Sequence, residues 1–334
     1  MPFSVLGIGS PLVDYNAVVS DDFIAASLSG DKGGTVHLDP VAKAALLRAL
    51  PQLPLRTPGG SAANTINLAA ALGVDAAFAG VAGNDDDGKF FLDNLAANGA
   101  ASFVRQLAGA ATGCCISLVT PDAERTMRSC LGVSMAIDRN FVAALPLEEY
   151  EFVHIEGYMM QLADFPEILQ EIKERKCRIS FDLSSFELAA RYAENLPQWL
   201  KYVDILFVNF AEQHAFTGCN DVASALETLS KYVPVTVLKN GADGAFVHIC
   251  GGELSHIPAL APADEVCDTT AAGDCFAAGF FYGISMGAPL PLCGRCGALC
   301  AAEIVKIQGS LLPEKNMKHL QSTLKKEIAR WNTK

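Results

Sequence analysis

The sequence predicts an α/β fold: a mainly parallel sheet with helices on both faces, plus a small second sheet set apart from it. Three observations lead there. After residue 138, short apolar strands alternate with helical stretches at βαβ spacing. Polar residues suited to ligands fall at the ends of those strands, where open α/β sheets bind ligands. From about Ala101 to Val133 the texture changes to two β-rich segments joined by a turn, which predicts a separate sheet.

Val5 to Gly9 is a short buried strand ending in Gly-Ile-Gly-Ser. Gly7 and Gly9 begin a dinucleotide fingerprint, but Leu12 stands where its third glycine belongs and no helix follows. Pro11 to Val19 looks extended instead. Asp14 at the strand exit suits sugar hydroxyls, because a carboxylate accepts two hydrogen bonds, and equally suits capping a turn. Residues 21–56 read as a polar connection with one helix, Pro40 to Leu50. Pro58-Gly59-Gly60 then opens a helix that closes on Gly73. Gly59, Gly60 and Asn64 share one end of it. They serve either close packing on the sheet or a platform that reads substrate hydroxyls.

Ala76 to Val81 is a strand and Asp86 to Asn98 a helix. Cys114–Val119 and Arg125–Cys130 are strands joined by Thr120–Glu124, and with residues 13–19 they make the small sheet. A lid of about residues 13–20 and 111–133 is thereby expected. Lids serve chemistry by excluding water.

The alternating part runs Phe152–Glu156 (strand), Pro166–Arg175 (helix), Arg178–Leu183 (strand), Asp204–Val208 (strand) and Val235–Leu238 (strand). Asp182, Asn209, Glu212, Gly241 and Asp274 all fall at or just after strand ends. Asn209 and Glu212 stand one helical turn apart, which suits outer-shell Mg²⁺ that keeps its waters. The same spacing makes a capping box, which the local sequence favours. Asp268-Thr269-Thr270-Ala271-Ala272-Gly273-Asp274 runs into an apolar helix, Cys275 to Met286. Unpaired N–H groups and the dipole make such a helix start an anion site, and small residues let the anion reach the backbone. Phosphate repels a carboxylate, so Asp274 suits taking a proton from a hydroxyl that attacks that phosphate. An ordinary capped helix also fits this stretch.

Cys293, Cys296 and Cys300 repeat as one apolar helix face. The 6 histidines show no metal spacing, so no zinc site is expected. The tail from Pro313 to Lys334 reads as a basic amphipathic cover helix. At 334 residues, 51% hydrophobic and 19% charged, the chain is a soluble globular type. Its net charge of −12 argues against nucleic acid and anionic membrane as partners, so a polyanionic substrate needs local donors. The 11 scattered cysteines and the absence of a signal-like start predict a cytoplasmic protein with reduced thiols.

Four motifs in order, over roughly residues 5 to 310, carry a resemblance. Gly59-Gly60-Ser61-Ala62-Ala63-Asn64 and Asp268 to Asp274 are similar to the Gly-Gly and Asp-Thr-x-Gly-Ala-Gly-Asp signatures of the ribokinase-like (PfkB) family of ATP-dependent sugar and nucleoside kinases. Asn209-x-x-Glu212 and Gly241-x-x-Gly244 resemble its Asn-x-x-Glu motif and nucleotide loop.

The resemblance implies a ribokinase-like, doubly wound kinase domain spanning 1–334, with a small β lid. It implies Asp274 as catalytic base, and the amides of Ala271, Ala272 and Gly273 as the anion hole. It implies that Asp14, Gly59, Gly60 and Asn64 grip the acceptor. Asn209, Glu212, Lys239, Gly241 and Gly244 would serve the nucleotide, with Mg²⁺ held by Glu212 through water. A K⁺ beside the anion hole, near Asp268, is also implied.

Ala271 departs from the family's usual glycine. Gly9-Ser10-Pro11-Leu12-Val13-Asp14, and Arg125-Thr126-Met127 with Leu131-Gly132, resemble adenosine-kinase-like members, with Ser10 in place of the usual asparagine. The expected reaction is transfer of the ATP γ-phosphoryl to a primary hydroxyl of a nucleoside or sugar. A free-sugar kinase of ribokinase or fructokinase type and a non-catalytic sensor are the alternatives. A monomer or a lid-mediated homodimer is expected.

Overall fold

The structure, a computed structural model, describes residues 3–29, 32–122 and 124–332. Met1 and Pro2, Ala123 of the expected turn, and Thr333 and Lys334 of the expected tail helix lie outside them. The strands are β1 Ser4–Ile8, β2 Leu12–Val18, β3 Thr35–His37, β4 Leu55–Gly59, β5 Asp75–Gly83, β6 Ala101–Leu107 and β7 Gly113–Val119. They continue as β8 Arg125–Cys130, β9 Phe152–Glu156, β10 Arg178–Asp182, β11 Ile205–Asn209, β12 Val235–Lys239, β13 Ala245–Ile249 and β14 Leu254–Ile257.

Helices alternate with them. The first seven are α1 Asp21–Ser27, α2 Pro40–Ala49, α3 Ser61–Ala71, α4 Asp86–Ala97, α5 Arg139–Ala143, α6 Phe165–Glu174 and α7 Phe186–Arg191. Then come α8 Leu196–Trp199, α9 Phe210–Thr217, α10 Val222–Leu229, α11 Ala272–Ser285, α12 Leu290–Ile304 and α13 Glu314–Asn332.

Among the described residues the main sheet has 9 strands, ordered β14-β13-β12-β11-β10-β9-β1-β5-β6. From β6 to β12 the pairing is parallel, and β13 and β14 add an antiparallel edge. Parallel strands buried on both faces must be apolar on both. Accordingly Val5, Phe152 and Ile205 enter one core with α3, α11 and α12, while Leu6, Val153 and Leu206 enter the other with α6. Chain order leaves β1 for β5 and β6 on one side and returns to β9 on the other. The switch point, where such sheets bind ligands, therefore lies between the ends of β1 and β9.

The second sheet is larger than its sequence suggested, ordered β3-β8-β7-β2-β4. The expected strands β2, β7 and β8 are there, but β3 and α1 fall in residues 21–56, which read as a polar connection with one helix, and β4 runs from there into Pro58-Gly59, which read as the opening of a helix. β3 and β4 are short and carry little period-2 signal, so their pairing partners decide them. β6 lies in the stretch from Ala101 that reads only as a change of texture, outside the expected lid of 111–133, and it joins the main sheet, paired to β5.

The cysteine face is a packed one, as expected. Cys293, Cys296 and Cys300 are fully buried, and a Cβ on Gly279 would come within 2.6 Å of Cys300 Sγ. Gly279 thus lets α11 and α12 touch.

Candidate active site

The start of α11 is built by an unusual residue. Ala271 caps it at φ 59°, ψ 9°, in the left-handed region. A Cβ there costs about 1–2 kcal/mol. Asp268 braces the turn: its Oδ1 accepts from the Thr270 N–H (2.8 Å) and hydroxyl (2.5 Å), and its Oδ2 from the Gly309 N–H (2.8 Å). From the lid, Arg125 donates to the Thr270 hydroxyl and stands 3.5 Å from Asp268. Both Asp268 oxygens are thus committed to protein donors, which leaves its carboxylate poorly suited to the expected K⁺.

The anion hole also differs in detail from expectation. The Ala272 N–H donates to the Thr269 carbonyl at 3.2 Å. The N–H groups of Ala271, Gly273 and Asp274 meet no acceptor among the described residues. Those three are the donors left for an anion.

Asp274 sits in the first turn of α11. Its Oδ1 accepts from the Ser61 hydroxyl at 2.7 Å and its Oδ2 from the Asn64 amide at 2.9 Å. The Thr65 hydroxyl donates to its carbonyl at 3.1 Å, so α3 grips α11 at three points. Burial pushes the Asp274 carboxyl up to about 6, and Asp182 adds to this, while the Asn64 and Ser61 bonds and Lys239 oppose it. A carboxylate with that value is ionised at neutral pH yet basic enough to accept a proton.

Asp14 arrives from β2 and faces the same group. Burial lifts it to about 7, with Arg125 pulling down and Asp274 pushing up. A Cβ on Gly59 would fall 2.4 Å from its Oδ1, and one on Gly60, at φ 97°, would strike the Ser10 carbonyl at 2.2 Å. The two glycines therefore let β2 and the start of α3 close on each other.

Asn209 and Glu212 form the capping box that local sequence favours: the Asn209 Oδ1 accepts from the Glu212 N–H at 2.9 Å, and the Glu212 carboxylate accepts from the Asn209 N–H at 2.8 Å and its side-chain amide at 2.7 Å. Glu212 is nonetheless buried, and burial followed by Asp182 pushes its carboxyl up against the pull of Lys239. The box and the inward-facing carboxylate coexist. Among the described residues no group of three or more His, Cys, Asp or Glu is arranged around an ion. Both Glu212 oxygens are already engaged by Asn209, so the pair suits Mg²⁺ only at a distance, through water on an ion carried mainly by substrate phosphates.

Lys239 ends β12, and its Nζ lies 2.7 Å from Asp182 Oδ2. A Cβ on Gly273 would come within 2.8 Å of that Nζ. The Gly241–Asp243 turn follows directly, and a Cβ on Gly244 would strike the Ile257 carbonyl at 2.1 Å, so Gly244 allows β14 to approach.

The chain's similarities agree with this arrangement. The profile of the pfkB family of carbohydrate kinases matches residues 50–316. The chain belongs to this family.

An uncharacterized sugar kinase of Archaeoglobus fulgidus is 24% identical over 72% of this chain and 94% of its own length. Adenosine kinase 2 of Arabidopsis thaliana is 24% identical over 93% of this chain and 96% of its own. The crystal structure of adenosine kinase from Sinorhizobium meliloti superposes with a TM-score of 0.84 at 25% identity, covering 97% of this chain and 100% of that one. The fold is accordingly ribokinase-like, with its lid sheet, and ATP is the donor that a kinase of this family implies. Among the described residues no helix is long and apolar enough to cross a membrane.

Sequence reading of this pfkB kinase missed Glu156. Its Oε1 accepts from the Ser10 N–H at 2.8 Å and its Oε2 from the Ala62 N–H at 2.9 Å, at the switch point. Burial lifts it to about 7, against the pull of those bonds. It closes strand β9, so the strand-end rule that flagged Asp182 could have found it. Ser61 lay inside the Gly-Gly motif without a role, and the Asp182–Lys239 pair spans 57 residues that no local pattern links.

Proposed function

We propose that this pfkB kinase transfers the γ-phosphoryl of ATP to a primary hydroxyl of a nucleoside, with adenosine the first acceptor to try. The observation that carries the chemistry is Asp274, held by Ser61 and Asn64 beside three unpaired amides at the start of α11. The acceptor hydroxyl gives its proton to the Asp274 carboxylate as its oxygen bonds to the γ-phosphorus. The bond from that phosphorus to the β–γ bridging oxygen breaks, and ADP leaves. The amides of Ala271, Gly273 and Asp274 receive the charge spread over the phosphoryl oxygens. Asn64 and Ser61 orient the base, and Asp14, Gly59 and Gly60 line the acceptor side. Asn209 and Glu212 would hold Mg²⁺ through water, and the ion supplies charge neutralisation on the phosphates. Gly241 and Gly244 shape the nucleotide side. A monovalent cation near the Asp268 turn would rely on backbone carbonyls.

Replacement of Asp274 by Asn tests the base. Turnover is expected to fall about 10²–10⁴-fold while acceptor binding persists. Near-wild-type turnover would remove Asp274 from that role.

The similarity to sugar kinases favours a second reading, a free-sugar kinase of ribokinase or fructokinase type. ATP consumption with adenosine, other nucleosides, ribose and fructose separates the two. Binding without turnover of any of them would mark a sensor, which the retained Asp274, Asn209 and Glu212 oppose. The 11 free cysteines support a reducing, cytoplasmic setting. Monomer and lid-paired dimer are distinguished by sedimentation.

A further inference from the structure

Lys239 is a largely buried lysine with no packing reason for its charge. Its side chain is 14% exposed and that of Asp182 4% exposed. Apolar side chains of similar volume generally fill such a place at no loss of stability. Its ammonium is aimed by a braced partner. Asp182 spends Oδ1 on the Ser184 N–H at 2.8 Å and Oδ2 on Lys239 at 2.7 Å. Ser184 itself is left-handed at φ 59°, and its hydroxyl accepts from the Gly157 N–H at 3.1 Å. Backbone strain held by such a network is found at working sites.

The ammonium also has a direction. It lies where a Gly273 side chain would be, 2.8 Å from that missing Cβ, and the Gly273 N–H has no acceptor among the described residues. The charge and an unpaired amide therefore belong to the same residue's surroundings, one position before Asp274. The surroundings demand a cation there. Asp182, Glu212 and Asp274 all lie close to Lys239, and the whole chain carries −12. A phosphoryl group entering this acidic site gains from a fixed positive charge that a flat array of amides does not supply.

We propose that Lys239 is a catalytic residue that donates a hydrogen bond to the phosphoryl group in transit, together with the Gly273 amide, and that Asp182 is its positioning residue. The inference rests on the kinase reading above. No covalent bond forms at Lys239, and its proton stays on nitrogen.

The test compares Lys239→Met, Lys239→Arg, Asp182→Asn and the double variant Asp182→Asn/Lys239→Met. The double variant removes both charges while its amide oxygen still accepts from Ser184, so it is the one read if the single methionine variant fails to fold. Two readouts are taken: kcat and KM for ATP and acceptor, and calorimetric binding of ADP with aluminium fluoride, a mimic of the phosphoryl in flight. Loss of Lys239 is expected to lower kcat by roughly 10²–10³, as removal of one transition-state donor does. The acceptor KM should move far less, and ADP–aluminium fluoride binding should weaken to match kcat. Arginine should recover roughly a tenth of the activity, since it restores charge without the reach. Asp182→Asn should fall between. A double variant that keeps kcat and ADP–aluminium fluoride affinity near wild type would overturn the proposal and leave the pair a structural one. If the wild-type chain turns over no acceptor, the kinase reading fails, and aluminium fluoride binding alone decides the role of Lys239.

Discussion

Ala271 holds a backbone conformation that glycine adopts freely. The turn accepts it because Asp268 fixes the preceding Thr270 and is itself tied to the distant Gly309. Ala271→Gly should relieve about 1–2 kcal/mol of left-handed strain and give back about 0.4–1 kcal/mol in unfolded-chain entropy. A slight rise in the thermal midpoint is expected, with turnover little changed because the amides are already presented. A several-fold faster variant would show instead that the methyl crowds the phosphate.

Asp274 makes a second residue-scale prediction. Its carboxyl sits at about 6, raised by burial. It accepts a proton only when ionised, and it is protonated below its pKa. The rate should therefore fall tenfold per unit on the acid side of about pH 6 and level off above it. A pH–rate profile flat down to pH 5 would remove it as the base.

The start of α3 is held in place by a carboxylate reaching in from β9. Glu156 caps α3 through the Ala62 N–H and ties it to Ser10 after β1. In Glu156→Gln one of those N–H groups faces an amide NH₂ and loses its acceptor, a cost of about 1–3 kcal/mol. Urea denaturation should report that loss, and the acceptor KM should rise because Asn64 rides on α3. Unchanged stability would deny the cap its role.

The lid is anchored the same way. Asp87 of α4 accepts from the Tyr15 hydroxyl at 2.5 Å and pairs with Arg56 at 3.0 Å and Lys43 at 3.4 Å, joining β2, β4 and α2 to the core. Asp87→Ala strands the largely buried Lys43 and takes the carboxylate partner from the more exposed Arg56. It should cost about 3 kcal/mol and make the lid strands more open to protease. Wild-type protease resistance would argue that the sheet-to-core packing suffices.

At the scale of the whole molecule, charge and substrate oppose each other. A chain of −12 repels ATP at long range, so the proposed ATP binding would rest on short-range donors, the unpaired amides at the start of α11 and Lys239. Added NaCl screens that repulsion beyond about 10 Å while leaving buried contacts nearly intact. The kcat/KM for ATP should rise, not fall, between low and physiological ionic strength at fixed KCl. A steep fall would point to a basic entry path. The same scale explains the two cores. The central main-sheet strands, β1 and β9 to β12, are buried on both faces, so helices must cover both.

Some of this was decided by the sequence alone. The alternation of apolar strands with helices set the parallel sheet, glycine punctuation set the start of α3, and a small-residue turn marked the start of α11. The order of the motifs marked Asp274, Asn209 and Glu212 as neighbours of one rim. These signals are local, because period, capping and turn chemistry involve residues a few positions apart.

The remainder required the fold. Ser61 and Asn64 reach Asp274 across 213 and 210 residues. Lys239 meets Asp182, and Glu156 meets Ser10, through strands adjacent or nearby in space but distant in sequence. β3, β4 and β6 were assigned by the strands they pair with and not by their own composition. Even the capping box, legible from Asn209 and Glu212, did not disclose that its carboxylate is buried beside Asp182 and Lys239. Chain propensity fixes what an element is, whereas long-range packing fixes what its side chains face, and the chemistry of this site depends on the second.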